Sequence, residues 1–403
     1  MRTLRSNEVF KPGAFPEHTY ISRVSPEFSY TYEFRLSQAL NTTGFLTSVI
    51  GPSKTGKTVL CEKVIEWDRI VSLSGSDFKN SQSFWTTVAN KAGLSIEGEQ
   101  TQISSIAGER VAGVTESKAS SVKEKFLTGK DQVIEYFKEN KLVLILDDFH
   151  YAPNELQLEI AQQLKDAIRK EFTSIVISLP HRADDAIRKN PDLSGRLSLI
   201  NIEPWQTDAL EKIAVTGFNA LGVKVNPSLV EVLAAESLTS PQLMQSICLN
   251  LCLLLDIDND AKIKEITEQN DLINAFKATT TNLPYKDVVK RLRSGPYTRG
   301  QKRKTFTLSD GTKSDIYDLL LKAIALDPPT TFIRLDELKE RFDQILGDTP
   351  SKPDRNKIKS TIEQTQTIIN TNGSIYQVFE WKDDVLYILE PLFLFYLRWG
   401  THN

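Results

Sequence analysis

The chain has 403 residues, a formal net charge of −3 and 40% hydrophobic residues. This length exceeds what one hydrophobic core organises, so two or three domains are expected. The near-neutral charge excludes a protein that binds polyanions over its whole surface, and any nucleic-acid contact must be local. Three cysteines without paired spacing are typical of a reducing compartment. No signal peptide or bilayer-spanning run is visible, so we expect a cytoplasmic protein without membrane contact.

The first strong motif follows a leader of residues 1–44, in which residues 28–39 have helical spacing. Gly51–Thr58 fits G-x-x-x-x-G-K-[ST] without mismatch, between a predicted buried strand at 45–50 and a predicted helix at 59–65. Such a loop points its amide groups inward as an anion nest, and the helix presents its N-terminus to phosphates. Lys57 is expected to reach the β- and γ-phosphates, and Thr58 to hold Mg²⁺. The predicted nucleotide-binding residues are Gly51, Pro52, Ser53, Lys54, Thr55, Gly56, Lys57, Thr58 and Val59.

The next segments predict a strand at 69–73 and a helix at 84–92. Residues 97–123 are rich in Ser, Thr, Glu, Gly and Gln and poor in large apolar side chains. Such a segment buries too little surface to offset the cost of ordering it, so a mobile insertion is expected. A partner-binding loop and a solvated loop both remain open for it. A helix is predicted at 130–140.

A second motif follows at the end of a strand. Residues 142–146 are apolar on both faces, as expected of a central parallel strand, and they lead into Asp147 and Asp148. This is the Walker B pattern, in which a buried strand delivers carboxylates to the ligand edge of the sheet. Asp147 is expected to orient Mg²⁺, and Asp148 to polarise the attacking water.

Two further strands supply candidate site residues. A helix is predicted at 154–170 and a strand at 174–178. A polar residue at the end of this strand would lie beside the γ-phosphate, and Ser178 and Arg182 are the candidates. Arg196 stands immediately before the strand at 197–202.

The pattern then changes to helices. They are predicted at 207–221, 227–236, 240–255 and 263–280, and together they suggest a helical lid over 204–284. Residues 285–304 are locally basic and broken by glycine and proline, so 285–313 is interpreted as a basic linker. A phosphate-contacting arm and a solvated linker both remain open for this linker.

The C-terminal segment, 314–403, predicts a winged-helix-like domain. Helices at 314–326, 335–346 and 353–369 are followed by alternating runs at 375–381 and 385–389, which suit a hairpin. Three helices followed by a hairpin is the winged-helix order. An aromatic-rich segment at 390–399 closes the chain and should pack on a core.

These motifs together resemble the STAND and AAA+ branch of P-loop ATPases, and are similar to archaeal-type and origin-recognition-type ATPases with a C-terminal winged helix. The resemblance implies an α/β P-loop core at 45–203 with a parallel sheet flanked by helices. It implies catalytic roles for Lys57, Asp148, Ser178 as sensor one, and Arg196 as a γ-phosphate sensor or a finger for a neighbouring subunit. Pro241, which opens a lid helix, would line the nucleotide. Asp148 replaces the Glu of many members, which implies slow turnover, and Gln242 replaces a frequent second-sensor arginine.

The resemblance implies a switch that binds ATP and Mg²⁺, hydrolyses ATP slowly and acts on a protein partner or a second copy of the chain, with prokaryotic defence as its context. One alternative is a DNA-binding ATPase that contacts duplex DNA through 285–304 and the winged helix. Another alternative is a scaffold that binds ATP without hydrolysing it. An ABC ATPase is excluded because no signature motif precedes Walker B, and a nucleoside kinase would lack the long tail.

Overall fold

The computed structural model describes residues 4–79, 83–94, 129–149, 152, 154–179, 193, 195–259, 265–297, 300, 303–349, 351–371 and 377–400. The insertion expected at 97–123 and Arg182 lie outside these residues. The chain divides into two compact units. The sheet unit comprises residues 22–52 and 56–203, and the helical unit comprises residues 1–21, 53–55 and 204–403. No helix in the described part of the chain is both long and apolar enough to cross a membrane.

The sheet unit is built on five parallel strands in the order β2-β3-β4-β1-β5. The strands are β1 (Leu46–Ile50), β2 (Ile70–Ser74), β3 (Val143–Asp147), β4 (Ser174–Ser178) and β5 (Leu197–Asn201). Every position of β1 and β4 is buried, including the small polar residues Thr47 and Ser48, which explains why neither strand alternates between apolar and charged residues. The predicted parallel sheet is confirmed. Because all strands run the same way, their carboxyl ends meet at one edge, where ligand sites of such sheets lie.

Helices cover both faces of this sheet, because successive side chains of a strand point to opposite faces. In β3, Leu144 and Leu146 join one core cluster, whereas Val143 and Ile145 join the other. The helices are α2 (Tyr32–Leu40), α3 (Lys57–Val64), α4 (Phe84–Lys91), α5 (129–139) and α6 (Asn154–Ile168). Helix α2 begins four residues later than predicted, because the Thr31 hydroxyl caps it by accepting a hydrogen bond from the amide of Phe34.

The helical unit begins with a helical group that matches most of the helices predicted over 204–284. Its elements are α1 (Ser6–Val9), α7 (Thr207–Ala220), β6 (Lys224–Val225), α8 (Pro227–Glu236), α9 (Pro241–Leu254), β7 (Glu265–Ile266) and α10 (Gln269–Thr281). The predicted helix at 263–280 is wrong at its start, because 265–266 pair with β6 as a short strand. Cys248 and Cys252 are buried on α9.

One glycine of α7 allows close packing within this group. A Cβ on Gly217 would lie 2.3 Å from Cε1 of Phe10, whose ring is fully buried, and 3.0 Å from Cγ2 of Thr19. We therefore expect Gly217→Ala to lower the free energy of unfolding by about 1–3 kcal/mol through overpacking. Urea unfolding measures this loss. Gly13→Ala is the control, because a Cβ there meets nothing within 4 Å; equal stability of the two variants would contradict the packing described here.

The basic segment at 285–304 is not simply a linker. Residues 286–294 form helix α11 (Lys286–Ser294), which buries Val288, Val289 and Leu292 on one face. This helix was not predicted from the sequence, because the polar positions of α11 are mostly cationic and mask the apolar spacing. Two of the cations are structural, since Arg293 pairs with Asp318 at 2.9 Å and Arg303 pairs with Asp315 at 3.1 Å.

The C-terminal part has the predicted winged-helix order, with three further strands, β8, β9 and β10. Its elements are β8 (Thr305–Thr307), β9 (Lys313–Asp315), α12 (Ile316–Ile324), β10 (Phe332–Arg334), α13 (Leu335–Leu346), α14 (Arg355–Thr371), β11 (Phe379–Lys382), β12 (Val385–Ile388) and α15 (Pro391–Trp399). Strand β10 pairs antiparallel with β12 and extends the hairpin to three strands. The predicted helix start at Ser314 is wrong, because 313–315 pair with β8 and Asp315 caps α12.

Candidate nucleotide-binding site

The loop between β1 and α3 has the backbone conformation that its glycines predict. Gly56 is the N-cap of α3 and has φ +89°, in the left-handed region that a Cβ disfavours. Residues 53–55 form the tip of the loop, and Lys57, Thr58 and Val59 form the first turn of α3. The first amides of α3 have no intrahelical acceptors, so this end of the helix is suited to hold an anion.

Lys57 turns back over the loop that precedes it. Its Nζ donates hydrogen bonds to the carbonyl oxygens of Gly51, at 3.0 Å, and Pro52, at 2.7 Å. These contacts hold the ammonium group beside the P-loop backbone. Phosphate oxygens in the loop would offer the same ammonium stronger, charged acceptors.

The two predicted metal ligands are in direct contact. The Thr58 hydroxyl donates to Oδ2 of Asp147 at 2.7 Å, and the amide of Asp148 donates to Oδ1 of Asp147 at 2.8 Å. Both carboxylate oxygens of Asp147 are thereby oriented at the end of β3. Mg²⁺ prefers oxygen ligands and is commonly held by one or two protein groups together with substrate phosphates. Thr58 and Asp147 fit that requirement in chemistry and in proximity.

Asp148 lies beyond the last residue of β3 in an unusual conformation. It is exposed and has φ +49°, a left-handed conformation that Asp tolerates better than most residues. Asp148 therefore directly follows Asp147, whose carboxylate contacts Thr58 at this end of the sheet. This is the edge at which a water could be activated.

Ser178 lies at the same edge. It is the last residue of β4, is paired in register with Ile50, and accepts a hydrogen bond from the amide of Gly51 through its carbonyl oxygen, at 3.3 Å. Its side chain is buried. The fold therefore brings Ser178 to the first residue of the P-loop.

Arg196 lies at the opposite edge. Its carbonyl accepts a hydrogen bond from the amide of Leu46, the first residue of β1, at 2.8 Å. A five-residue strand is about 16 Å long, and that length separates Arg196 from the P-loop edge of its own sheet. The suggestion that Arg196 senses the γ-phosphate of its own subunit is therefore wrong. The finger role toward a neighbouring subunit stays a prediction.

Pro241 belongs to the helical unit. It is the first residue of α9, and the preceding Ser240 caps the helix by accepting a hydrogen bond from the amide of Leu243 at 3.2 Å. Proline suits this position because the first amides of a helix have no partner to lose. Its role beside the nucleotide stays a prediction.

Sequence reasoning missed three residues around Asp147. Cys61 and Glu62 follow Thr58 on α3; burial, and secondarily the charge of Asp147, raises the pKa of both side chains. A thiol with a raised pKa is unreactive. Ser74, the last residue of β2, is paired in register with Asp147 and also lies at this edge. Only its position directly after the strand predicted at 69–73 could have indicated this.

Comparison with known proteins supports the interpretation of Gly51–Thr58 as a P-loop. Residues 41–186 match the family model of an AAA domain. A search of curated proteins finds no significant match.

Several solved structures are similar over nearly the whole chain. Cdc6p of Pyrobaculum aerophilum is 13% identical, covering 96% of this chain and 94% of that one, with a TM-score of 0.45. A Walker-type ATPase of Pyrococcus abyssi is 15% identical, covering 91% and 94%, with a TM-score of 0.49. The Aeropyrum pernix Orc1 protein, solved with DNA, is 13% identical, covering 98% and 96%, with a TM-score of 0.46.

These scores are too low to support a functional conclusion. The assignment rests instead on the family match, the parallel sheet and the contact between Thr58 and Asp147. Residues 41–186 thus match an AAA domain, and they contain the P-loop, strands β1–β4 of the parallel sheet and the contact between Thr58 and Asp147.

Proposed function

We propose that the protein binds Mg-ATP, hydrolyses it slowly, and uses the nucleotide state to switch assembly or partner binding, as STAND and AAA+ proteins do. The observation that supports this most is the hydrogen bond from Thr58 to Asp147, because it joins the P-loop helix to the Walker B strand. Asp148 follows directly and adds a second carboxylate at the same edge. A site that only held a phosphate would need neither carboxylate.

Each residue has a distinct chemical role in this proposal. The P-loop amides and Lys57 bind the phosphates and stabilise charge that develops on them in the transition state. Thr58 and Asp147 hold Mg²⁺, which supplies further charge neutralisation when it is bound. Asp148 orients the attacking water and accepts its proton. Ser178 bonds to the γ-phosphate from the end of β4.

We expect Asp148→Asn to bind ATP with unchanged affinity but to lose about 10²–10⁴-fold in kcat, because it removes the base and keeps a residue that tolerates positive φ. Phosphate release and equilibrium ATP binding measure the two effects. Asp383→Asn is the matched control, since Asp383 also has positive φ but lies in the turn between β11 and β12. An unchanged kcat in Asp148→Asn would exclude Asp148 as the base, and a wild type that binds ATP without releasing phosphate would favour the non-hydrolysing scaffold.

Assembly follows from the position of Arg196. A cation at the edge away from its own P-loop is suited to complete the site of a neighbouring copy, so the proposed partner includes a second copy of the chain. Pro241 and its helix would respond to the bound nucleotide as a lid. A cytoplasmic role in prokaryotic defence follows from the resemblance to STAND proteins alone.

A second candidate, DNA binding, has one supporting observation. Lys286, Lys290 and Arg291 are exposed on α11, and the side chain of Tyr297 beyond it is 92% exposed. Cations next to an exposed aromatic ring are suited to contact nucleic acid.

The winged helix itself disfavours this candidate. In α14, Arg355 pairs with Asp336 at 2.7 Å and Lys359 pairs with Asp384 at 2.7 Å, so two cations of the helix expected to enter the major groove are neutralised by acids of the same domain. Asp383 and Asp384 form the tip of the wing. Binding of duplex DNA at low salt that is lost in a Lys290→Glu and Arg291→Glu variant would favour the DNA-binding candidate. If the wild type binds no duplex DNA at low salt, a protein partner is favoured instead.

A further inference from the structure

Gly75 stands between two turns at the ligand edge of the sheet unit. It follows Ser74, the last residue of β2, and Ser74 is paired in register with Asp147 of β3. The turn after β2 is closed by Asp77, whose Oδ2 accepts a hydrogen bond from the amide of Ser74 at 2.8 Å. The two turns that leave β2 and β3 therefore lie side by side.

The backbones of these two turns approach too closely for any side chain between them. A Cβ on Gly75 would lie 2.5 Å from the carbonyl oxygen of Asp148, 3.0 Å from the amide nitrogen of Ala152 and 3.2 Å from the carbonyl oxygen of Phe149. All three are backbone atoms, so a rotamer change cannot relieve the contact. Reaching even 3.0 Å from the Asp148 oxygen requires a shift of about 0.5 Å in the turn.

The turn after Asp148 is also held in place by contacts other than its contact with Gly75. The Ala152 amide donates to the Phe149 carbonyl at 3.1 Å and closes the turn, and Phe149 is buried in the same core cluster as Phe78 from the turn after β2. Both turns are anchored in one core. A push from position 75 is therefore transmitted to Asp148, which already holds a left-handed φ of 49°.

The geometry points to Gly75 as a positioning residue for ATP hydrolysis: the missing side chain at position 75 lets the turn after β2 support the backbone of Asp148, and so sets where its carboxylate lies relative to Asp147 and Thr58. This inference rests on the proposed hydrolytic function. It assigns no contact with ATP to Gly75. Lys57, which is proposed to bind phosphate, lies on α3 and outside the turn after β3.

The test compares three Gly→Ala variants in the full chain. Gly75→Ala is expected to lose about 10- to 100-fold in kcat, because small misplacements of a catalytic group have effects of that size, while KM for ATP stays close to wild type. Gly13→Ala, in open space, keeps both parameters. Gly217→Ala, crowded in the helical unit, loses stability but keeps kcat in the folded protein. This last control separates positioning from general destabilisation.

Two outcomes would overturn the inference. One is a Gly75→Ala enzyme with the kcat of wild type. The other is a parallel loss of kcat and ATP affinity, as a misfolded sheet unit would give. If the wild type itself hydrolyses no ATP, the proposed function fails, and amide exchange then decides the role of Gly75. Exchange in the 142–149 segment should be at least about tenfold faster in Gly75→Ala than in Gly13→Ala, and equal exchange would contradict the support of Asp148 by Gly75.

Discussion

Lys57→Ala is expected to lose at least about 100-fold in kcat/KM for ATP, because removing one preorganised donor to a charged transition state has effects of this size. The substitution also removes the side chain that bonds to the carbonyls of Gly51 and Pro52, so the P-loop itself loses two contacts. Phosphate release measured at saturating ATP gives kcat, and phosphate release measured at subsaturating ATP gives kcat/KM.

Thermal unfolding gives an independent measure of ATP binding, because a ligand that binds only the folded state stabilises it. ATP should raise the Tm of the wild type and leave that of Lys57→Ala almost unchanged. Lys91→Ala is the control, since Lys91 is an exposed lysine on α4. Equal hydrolysis by Lys57→Ala and Lys91→Ala would exclude Gly51–Thr58 as the nucleotide site.

Arg398→Ala is expected to destabilise the helical unit by about 3–5 kcal/mol, because it leaves the buried carboxylate of Glu236 without its cation. Arg398 donates to both oxygens of Glu236, at 3.0 and 2.6 Å, and Trp399 donates its indole N–H to the same carboxylate at 2.6 Å. The side chains of Arg398 and Glu236 are 8% and 10% exposed. Denaturant unfolding monitored by tryptophan fluorescence measures the loss.

A double variant tests whether the loss comes from the stranded charge. Replacing both partners with apolar residues, as in Arg398→Met with Glu236→Leu, removes the unpaired carboxylate and should recover much of the stability. Lys212→Ala is a matched control, because its pair with Asp208 on α7 is exposed on both sides and should contribute less than about 1 kcal/mol. If Arg398→Ala were as stable as Lys212→Ala, the buried pair would not hold α15 to α8.

The parts of the site that the sequence predicted are those determined locally. The sequence from Gly51 to Thr58 specifies the loop, its left-handed Gly56 and the helix that follows it. Asp147 and Thr58 could both be assigned to the Mg²⁺ site from the sequence, because a buried apolar strand ends at the edge of the sheet, where the P-loop also lies. The same reasoning predicted that Ser178 lies at this edge, and its contact with the γ-phosphate stays a prediction.

Two misses have a common physical cause, namely dependence on tertiary contacts. The closeness of Gly75 to Asp148 arises from the pairing of β2 with β3, which no local pattern encodes. Strand β10 is three residues long and exists because it pairs with β12.

Two other misses could have been avoided. Helix α11 is visible as a buried stripe once the spacing of Val288, Val289 and Leu292 is considered apart from the surrounding charge. Arg196 precedes a parallel strand, and a residue before such a strand lies at the amino edge, away from the P-loop. The direction of the chain alone was sufficient to exclude its role in the site of its own subunit.

The most direct test of the switch is amide hydrogen exchange of Asp148→Asn with Mg-ATP and with Mg-ADP, because this variant is expected to keep ATP intact. The proposed function predicts that the two nucleotides give different protection in the P-loop and also in peptides of 204–403. Identical exchange in the two states across 204–403, with nucleotide bound in both, would contradict a nucleotide-driven switch.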